Sequence, residues 1–154
     1  MAATTLNGPG EVRGALGRHL GHSDWLTITP TQIDRFAEAT SLDGRSNDAD
    51  ADADADARAS SVTTVPDLFV LSLSNLFLPQ IVEVQGFALG VNYGTGSIRF
   101  PAAAATGSRI RGGAELIEVK PVAGGLQTTI RITIEIEDGD EPAAVIDSLS
   151  RWLD

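Results

Sequence analysis

The chain has 154 residues, and its 21 acidic residues outnumber its 11 basic residues to give a net charge of −10. That length suits one domain with a core of its own, and so acidic a chain argues against nucleic-acid binding. The absence of cysteine excludes disulfides, thiolate metal sites and cysteine nucleophiles. Because no apolar run is long enough to cross a membrane and no secretory signal opens the chain, we expect a soluble cytoplasmic protein.

The N-terminal residues show no regular hydrophobic period. Residues 1–21 are rich in Gly, Ala and Thr, and we expect them to form a flexible lead-in, with a short helix around residues 12–20. The only two histidines, His19 and His22, fall in this Gly-rich polar stretch and are expected to be solvated loop residues. A single domain is then predicted over residues 22–154.

The first clear element is a helix from Thr29 to about Thr40. Thr29 offers a capping hydroxyl, Pro30 suits the first helical position, and Gln32 is placed to complete a capping box. Ile33, Phe36 and Ala37 follow at helical spacing. This pattern predicts a short amphipathic helix.

Five Asp-Ala dipeptides occupy residues 48–57. Their like charges repel one another and neither residue favours a strand, so we expect a flexible, solvated loop inserted into the domain. A calcium loop would need Gly at its sixth position and Glu at its twelfth. Counting from Asp48, those positions hold Ala53 and Ala59. No metal site is therefore predicted.

The following segment predicts a buried helix covered by a sheet. Residues 66–78 are apolar nearly all round, which is typical of a buried helix, and Pro66 and Asp67 suit its first turn. From residue 87 the period changes to two. Strands are predicted at 87–93, 97–100, 108–119, 126–137 and 143–153, with turns at 93–96 and 138–142 and a bulge or bend at Gly112-Gly113. We predict an α+β fold in which about five antiparallel strands wrap around the helix.

That order of elements, together with several short motifs, resembles the MaoC-like (R)-specific enoyl-thioester hydratases. The similarity runs from about Leu20 to the C-terminus. It is carried by SDWLTIT at 23–29, FAEAT at 36–40, GVNYG at 90–94, RFPA at 99–102 and GSRIR at 107–111. The resemblance implies the hotdog fold.

The catalytic pattern of those hydratases is not matched. They place an Asp and a His a few residues apart after the first helix, and a His-Gly pair at the start of the central helix. In this chain Leu42 stands where the acid is expected, with Asp43 one place later, and Asn47 stands at the histidine position. The central helix opens Pro-Asp-Leu-Phe instead of Ala-His-Gly-Phe. Since no histidine follows His22, the resemblance implies that ordinary hydratase activity is lost.

Three functions fit such a scaffold. The favoured one is a cofactor-independent cyclase that folds a polyene macrolactone for a 6+4 or 4+2 cycloaddition. At family level the chain resembles the small MaoC-like cyclases of actinobacterial macrolide pathways such as those for nargenicin and streptoseomicin. The alternatives are a non-catalytic subunit beside an active hydratase, and an altered thioester lyase with Asp43 or Asp67 as its base. The cyclase implies a hydrophobic polyene substrate, no cofactor and a homodimer.

The candidate site residues follow from these positions. Asp67 and Asn47 are predicted as the polar groups that act on the substrate, although Asp67 also suits a helix cap. Asn75, within the apolar helix, is either a substrate contact or a buried amide bonded to backbone. The remaining candidates are either pocket walls or core residues, namely Leu42, Phe69, Leu73 and Tyr93.

Overall fold

The computed structural model of the chain describes residues 2–40 and 63–154. The helices of this part are α1 (Gly8–Gly14), α2 (Pro30–Ala39), α3 (Asp67–Ser72) and α4 (Ser74–Ile81). The strands are β1 (Thr4–Asn7), β2 (His19–His22), β3 (Leu26–Thr27), β4 (Val82–Gln85), β5 (Leu89–Arg99), β6 (Arg109–Val122), β7 (Gly125–Ile136) and β8 (Ala144–Leu153).

One antiparallel sheet dominates the fold. Its strand order is β2-β6-β7-β8-β5, and the short β3 also pairs with β6, which makes six strands where about five were predicted. Strands β6, β7 and β8 confirm the two-residue period of the sequence. Strand β7 pairs with β6 on one side and with β8 on the other. The predicted α+β class, in which helices pack on an antiparallel sheet, is confirmed.

The predicted central helix is two helices rather than one. Helix α3 ends at Ser72 and α4 begins at Ser74, with Leu73 between them. One side of this pair is buried, but Leu68 and Leu76 on the other side are 63% and 48% exposed, so the prediction of a helix buried all round is wrong for the single chain.

Helix α4 packs directly on β6 and thereby defines the two faces of the sheet. A Cβ added to Gly112 would lie 2.8 Å from the Cβ of Phe77, so only glycine lets the helix approach this closely. A Cβ on the next residue, Gly113, would instead meet His22 and His19 on the opposite side. We call the side that carries α4 the inner face and the other side the outer face.

The N-terminal segment is part of the fold, and the predicted flexible lead-in at residues 1–21 is wrong for the described residues. Strand β1 pairs in parallel with β4, which lies far along the chain. Leu6, Val12, Ala15 and Leu20 are all buried. Because these apolar residues stand singly among glycines and polar residues, their burial leaves no local period in the sequence.

Two other local predictions are corrected in the sheet. Residues 93–96, predicted as a turn, lie inside β5, where the pairing with β8 shifts register on either side of Gly94 and Thr95. Gly112 and Gly113 are paired in register with β7, and the irregularity of β6 falls later, between Leu116 and Glu118. Glycine here marks the close approach of helix α4 and not a bend.

Helix α2 confirms the capping prediction. Gln32 N–H donates to the Thr29 hydroxyl, and Thr29 N–H donates to the Gln32 side chain. The Asp-Ala segment 48–57, with Leu42, Asp43 and Asn47, lies outside the described residues. In the described part of the chain, no helix is both long and apolar enough to cross a lipid bilayer.

Candidate functional site

A cleft opens on the inner face, between the start of α4 and strands β5, β7 and β8, with a volume of about 140 Å³. Strand register places its sheet residues. Ser148 pairs with the buried Ile130 of β7, and Ser150 pairs with Asn92 of β5, so these side chains share the inner face. The cleft is lined by Ser74, Asn75, Leu78, Pro79, Asn92, Ile132, Ser148 and Ser150.

The polar side chains of this cleft are not committed to other residues. Five of them are uncharged hydroxyls or amides, those of Ser74, Asn75, Asn92, Ser148 and Ser150. Within the described residues, none of the five forms a side-chain hydrogen bond to another residue. On the same face nearby, by contrast, Trp152 Nε1 donates to Thr128 Oγ1 at 3.0 Å. The cleft therefore concentrates donors and acceptors that are available to a ligand.

The structure brings one of the residues predicted from the sequence into this cleft, Asn75 in the first turn of α4. Phe69 and Leu73 lie in the hydrophobic core, where they are 7% and 8% exposed. The Phe69 ring meets Phe36 edge to face, with 5.5 Å between the ring centres. Asp67 is exposed in the first turn of α3, but the N-cap position is Pro66 and no side-chain hydrogen bond caps this helix.

Tyr93 is not brought together with Asn75. It is 54% exposed, and the guanidinium carbon of Arg151 lies 3.6 Å from the centre of its ring. Arg151 Nε also donates to Gln127 Oε1 at 3.1 Å across the outer face. Tyr93 therefore belongs to the outer face of the sheet. The other two predicted site residues, Leu42 and Asn47, lie outside the described residues.

Both histidines of the chain lie on strand β2, and the prediction that they are loop residues is wrong. Their rings are 4.6 Å apart beside Gly113. His22 Nε2 lies 3.4 Å from Glu135 Oε1, and Arg111 Nε donates to the same carboxylate at 2.8 Å. The imidazoles are thus on the outer face, and the candidate cleft is on the inner face.

The electrostatics of this outer cluster are set by the two basic side chains beside Glu135, those of Arg111 and His22. Partial burial raises the pKa of Glu135, but the hydrogen bond and charge of Arg111, with a smaller effect of His22, outweigh it, so that the pKa lies below its ordinary value. The Trp25 ring stacks near this arginine, 4.6 Å from its guanidinium carbon. The histidines and carboxylates of the outer face are therefore engaged in a structural network.

A second cleft, of about 290 Å³, lies near the end of α4 and is bordered by Ala3, His22, Asp24, Pro79 and Gln80. Although it is larger, its groups are already engaged. Asp24 N–H donates to Gln80 Oε1 at 3.2 Å, Gln80 Nε2 donates to the carbonyl of Leu76, and His22 faces Glu135. The smaller inner cleft, with five uncommitted polar side chains, is the better candidate site.

Sequence reasoning missed Asn92, Ser148 and Ser150. A signal for the two serines exists, because Ala144 and Ile146 are buried and the serines continue the same alternating positions of β8. Polar residues at the inward positions of an otherwise apolar strand indicate a cavity or a buried hydrogen bond. Asn92 could be recognised only once its pairing with Ser150 was known.

Chemically, the inner cleft can hold and orient a molecule but offers little for proton transfer. Its polar groups are hydroxyls and amides, which donate and accept hydrogen bonds without titrating near neutral pH. Ile132 and Leu78 supply an apolar floor. Across residues 2–40 and 63–154, no three His, Asp or Glu side chains are grouped so as to hold a metal ion.

Comparison with known proteins shows similarity along nearly the whole chain, although no protein-family model matches it. It is 33% identical over 154 residues to 3-hydroxyacyl-thioester dehydratase Z of Mycobacterium tuberculosis, covering 97% of this chain and 98% of that protein. It is also 33% identical over 140 residues to nodulation protein N of Rhizobium leguminosarum bv. viciae, covering 86% and 83% of the two chains.

Solved structures share the fold at low sequence identity. The MaoC-like dehydratase from Rhodospirillum rubrum superposes with a TM-score of 0.64 at 14% identity, covering 90% of this chain and 92% of that one. The C-terminally truncated HadBC (3R-hydroxyacyl-ACP dehydratase) complex from Mycobacterium tuberculosis gives 0.67 at 18% identity, covering 89% and 96%. These neighbours carry the helix-in-sheet architecture described above. The chain therefore belongs to the MaoC-like hotdog dehydratase family.

Proposed function

We propose that the protein is a cofactor-independent cyclase that catalyses a 6+4 or 4+2 cycloaddition of a polyene macrolactone. The observation that carries the proposal is the separation of the two faces of the sheet. Both histidines of the chain lie on the outer face, with His22 against Glu135 and His19 beside His22, whereas the inner cleft is lined by uncharged groups. The chain keeps the fold of the family, but its imidazoles lie on the outer face, away from the inner cleft where a proton relay would need one.

Dehydration of a 3-hydroxyacyl thioester needs a base for the proton next to the carbonyl and an acid for the departing hydroxyl. Such groups act only within hydrogen-bond reach of the reacting atoms. His19 and His22 are on the wrong side of the sheet for this, and Asn75, Asn92 and Ser148 do not titrate near neutral pH. A reaction without proton transfer agrees better with this cleft.

A cycloaddition meets that requirement, since two carbon–carbon σ bonds form at the expense of two π bonds within one molecule. No atom, proton or electron is gained or lost. Holding the chain in a reactive conformer can remove several kcal/mol of the barrier, and a hydrogen bond from Asn75 to a carbonyl conjugated with the polyene would polarise it. The neutral donors of the cleft can supply the polarisation, and anchoring one edge of the substrate against the apolar floor would restrict the conformers of the chain.

The proposal includes a homodimer. Strand β5 is the last strand of the main sheet. The edge of β5 that points away from β8 has no partner strand among the described residues. Leu89 and Val91 of this strand are 53% and 38% exposed. An open edge with exposed apolar side chains is a surface on which a second strand can pair.

The direct test is incubation of the purified protein with a linear and a macrocyclic polyene lactone, followed by mass spectrometry. We expect an isomeric product of unchanged mass, formed without added metal or cofactor, and a flat dependence of rate on pH through neutrality. Hydration of crotonyl-CoA, measured in parallel by the loss of enoyl absorbance, should stay at background. Brisk hydration without any isomer would overturn the cyclase.

Two other functions give different results in the same assays. A thioester dehydratase, which the whole-length similarity to dehydratase Z favours, would hydrate crotonyl-CoA with a bell-shaped pH profile. A non-catalytic subunit, which the open β5 edge and the HadBC complex favour, would be inert alone and would co-purify with a histidine-bearing homologue.

A further inference from the structure

We propose that the inner cleft recognises an oxygen-bearing edge of a neutral, apolar molecule through Ser148, Ser150 and Asn92, and that it discriminates against an anionic group at that edge. The inference rests on the proposed function and deepens it, because it names the chemistry by which the substrate is selected. It depends on the hydrogen-bonding state of the Ser148 hydroxyl and on the charge of the surrounding groups.

Ser148 is the first observation. Four polar residues of the described part are buried, and Ser23, Thr128 and Thr129 each have a side-chain hydrogen-bond partner. Ser148, which is 9% exposed, has no such partner, and it lines the cleft. Among the described residues no buried side-chain nitrogen or oxygen lacks a hydrogen-bond partner, so the unpartnered Ser148 hydroxyl is one that solvent reaches. It is therefore available to a group that enters the cleft.

The neighbouring groups fix the chemistry of that ligand. Ser150 and Asn92 face each other across β8 and β5, and Asn75 approaches from α4. Hydroxyl and amide groups both donate and accept, so they match an alcohol, a ketone or an ester oxygen. Ile132 forms the apolar side of the cleft. Together these residues suit a molecule that is mostly hydrocarbon with oxygen atoms along one edge.

The absence of charge in the cleft disfavours an anionic ligand group. None of the residues that line the cleft is charged, and the chain as a whole carries −10. A phosphate or carboxylate placed there would lose water without gaining a counter-ion, which is costly. A neutral oxygen-bearing edge is therefore favoured over a charged one.

The size of the cleft defines how much of the ligand it holds. Its volume of about 140 Å³ is smaller than the roughly 300 Å³ at which complete small-molecule pockets begin. A cleft of this size takes one edge of a macrolactone and leaves the rest of the ring outside. Recognition of one or two oxygen atoms is therefore expected to dominate the selectivity.

The test measures equilibrium binding by calorimetry with three matched probes that cannot cyclise. They are a saturated macrolactone with one hydroxyl group, its deoxy counterpart of the same ring size, and the same lactone with a carboxylate in place of the hydroxyl. We expect the hydroxylated lactone to bind about fivefold to tenfold more tightly than the deoxy lactone, which is the effect of one hydrogen bond. The carboxylate is expected to bind most weakly.

Variants connect this preference to the named residues. Ser148→Ala should weaken binding of the hydroxylated lactone about fivefold and leave the deoxy lactone unchanged, whereas Ser97→Ala, at an exposed position of β5 outside the cleft, should change neither. Asn92→Asp should weaken the binding of both neutral lactones, because it places a charge at the cleft. Asn92→Leu should remove only the preference for the hydroxylated lactone over the deoxy lactone. Circular dichroism spectra and melting temperatures establish that each variant is folded.

Failure of the inference and failure of the proposed function are distinguishable. Binding of the hydroxylated lactone with the stated variant effects, but without isomerisation of any polyene, refutes the cyclase and supports the inference. Isomer formation with affinities that Ser148→Ala and Asn92→Asp leave unchanged refutes the inference and supports the cyclase. Tighter binding of the carboxylate than of either neutral lactone, or no binding of the neutral lactones, also refutes the inference.

Discussion

At the scale of single residues, the two faces of the sheet use polar side chains in opposite ways. On the outer face, charged residues are paired across strands, as in the two hydrogen bonds from Arg131 to Asp147 at 2.8 and 3.0 Å. On the inner face, Ser148 and Asn92 have no such partners among the described residues. Paired charges hold strands in register, whereas unpaired neutral groups are free to bind a ligand. Under our proposal, the outer face contributes stability and the inner face recognises the ligand.

The outer network makes a prediction about acid stability. The pKa of Glu135 is lowered in the folded state, so its contribution is present above the unfolded-state pKa and is lost as the pH falls through the folded value. We expect Glu135→Gln to reduce the free energy of unfolding at pH 7 by only about 0.5 kcal/mol, because the pair is partly exposed and screened. As the pH falls below the folded-state pKa of Glu135, the stabilities of the variant and the wild type should converge by urea unfolding. Glu141→Gln, in an exposed turn, is the control and should have no effect at pH 7 or at the lower pH.

Asn75 carries a prediction about turnover. If it polarises a substrate carbonyl, Asn75→Leu should slow isomer formation about tenfold, which corresponds to roughly 1.4 kcal/mol of barrier. Because the residue is exposed, the melting temperature should hardly change. Gln85→Leu, at an exposed position of β4 away from the cleft, tests for unspecific effects of the substitution. An unchanged rate in Asn75→Leu would remove this residue from the mechanism.

At the scale of elements, the contact between α4 and β6 determines where the cleft can form. Phe77 sits on Gly112, and this close approach brings the first turn of α4 over β7 and β8. A larger residue at position 112 would lift the helix away from the sheet. The cleft thus depends on a glycine that lines no part of it.

Gly112→Ala tests this dependence. The added Cβ would lie 2.8 Å from the Phe77 Cβ, and overpacking of this kind costs about 1–3 kcal/mol of unfolding free energy. The matched control is Gly96→Ala, where the nearest atom, the Cβ of Asp147, would be 3.6 Å away and stability should change little. Phe77→Leu combined with Gly112→Ala should recover part of the loss if the two residues collide. A Gly112→Ala variant as stable as the wild type would contradict the close packing.

The accuracy of sequence reasoning followed the range of the interactions involved. The capping box at Thr29 and the alternation in β7 are local patterns, and both were predicted correctly. The parallel pairing of β1 with β4 joins segments that are distant in the sequence. The residues next to Leu6 in the sequence therefore did not indicate that it is buried. The same holds for the cleft. Asn75 could be singled out as polar within an apolar helix, whereas Asn92 becomes a site residue only through its pairing with Ser150.

At the scale of the whole molecule, the open edge of β5 and the net charge of −10 act against each other in self-association. Unpaired backbone groups and exposed apolar side chains favour pairing with a second copy. Two copies that each carry −10 repel one another, and salt screens that repulsion. A homodimer through β5 should therefore tighten as ionic strength rises, the opposite of an interface built from ion pairs.

Sedimentation analysis of an edge variant tests the whole-molecule arrangement. We expect the wild type to be a dimer at micromolar concentration whose dissociation constant falls between low and moderate salt. Leu89→Lys with Val91→Lys should give a folded monomer, because it places two charges on the exposed apolar edge of β5. Leu16→Lys, which changes a leucine that is 53% exposed near α1, is the matched control and should remain dimeric. If the edge variant also stays dimeric, another surface forms the interface, and a wild-type monomer at all salt concentrations would refute the homodimer itself.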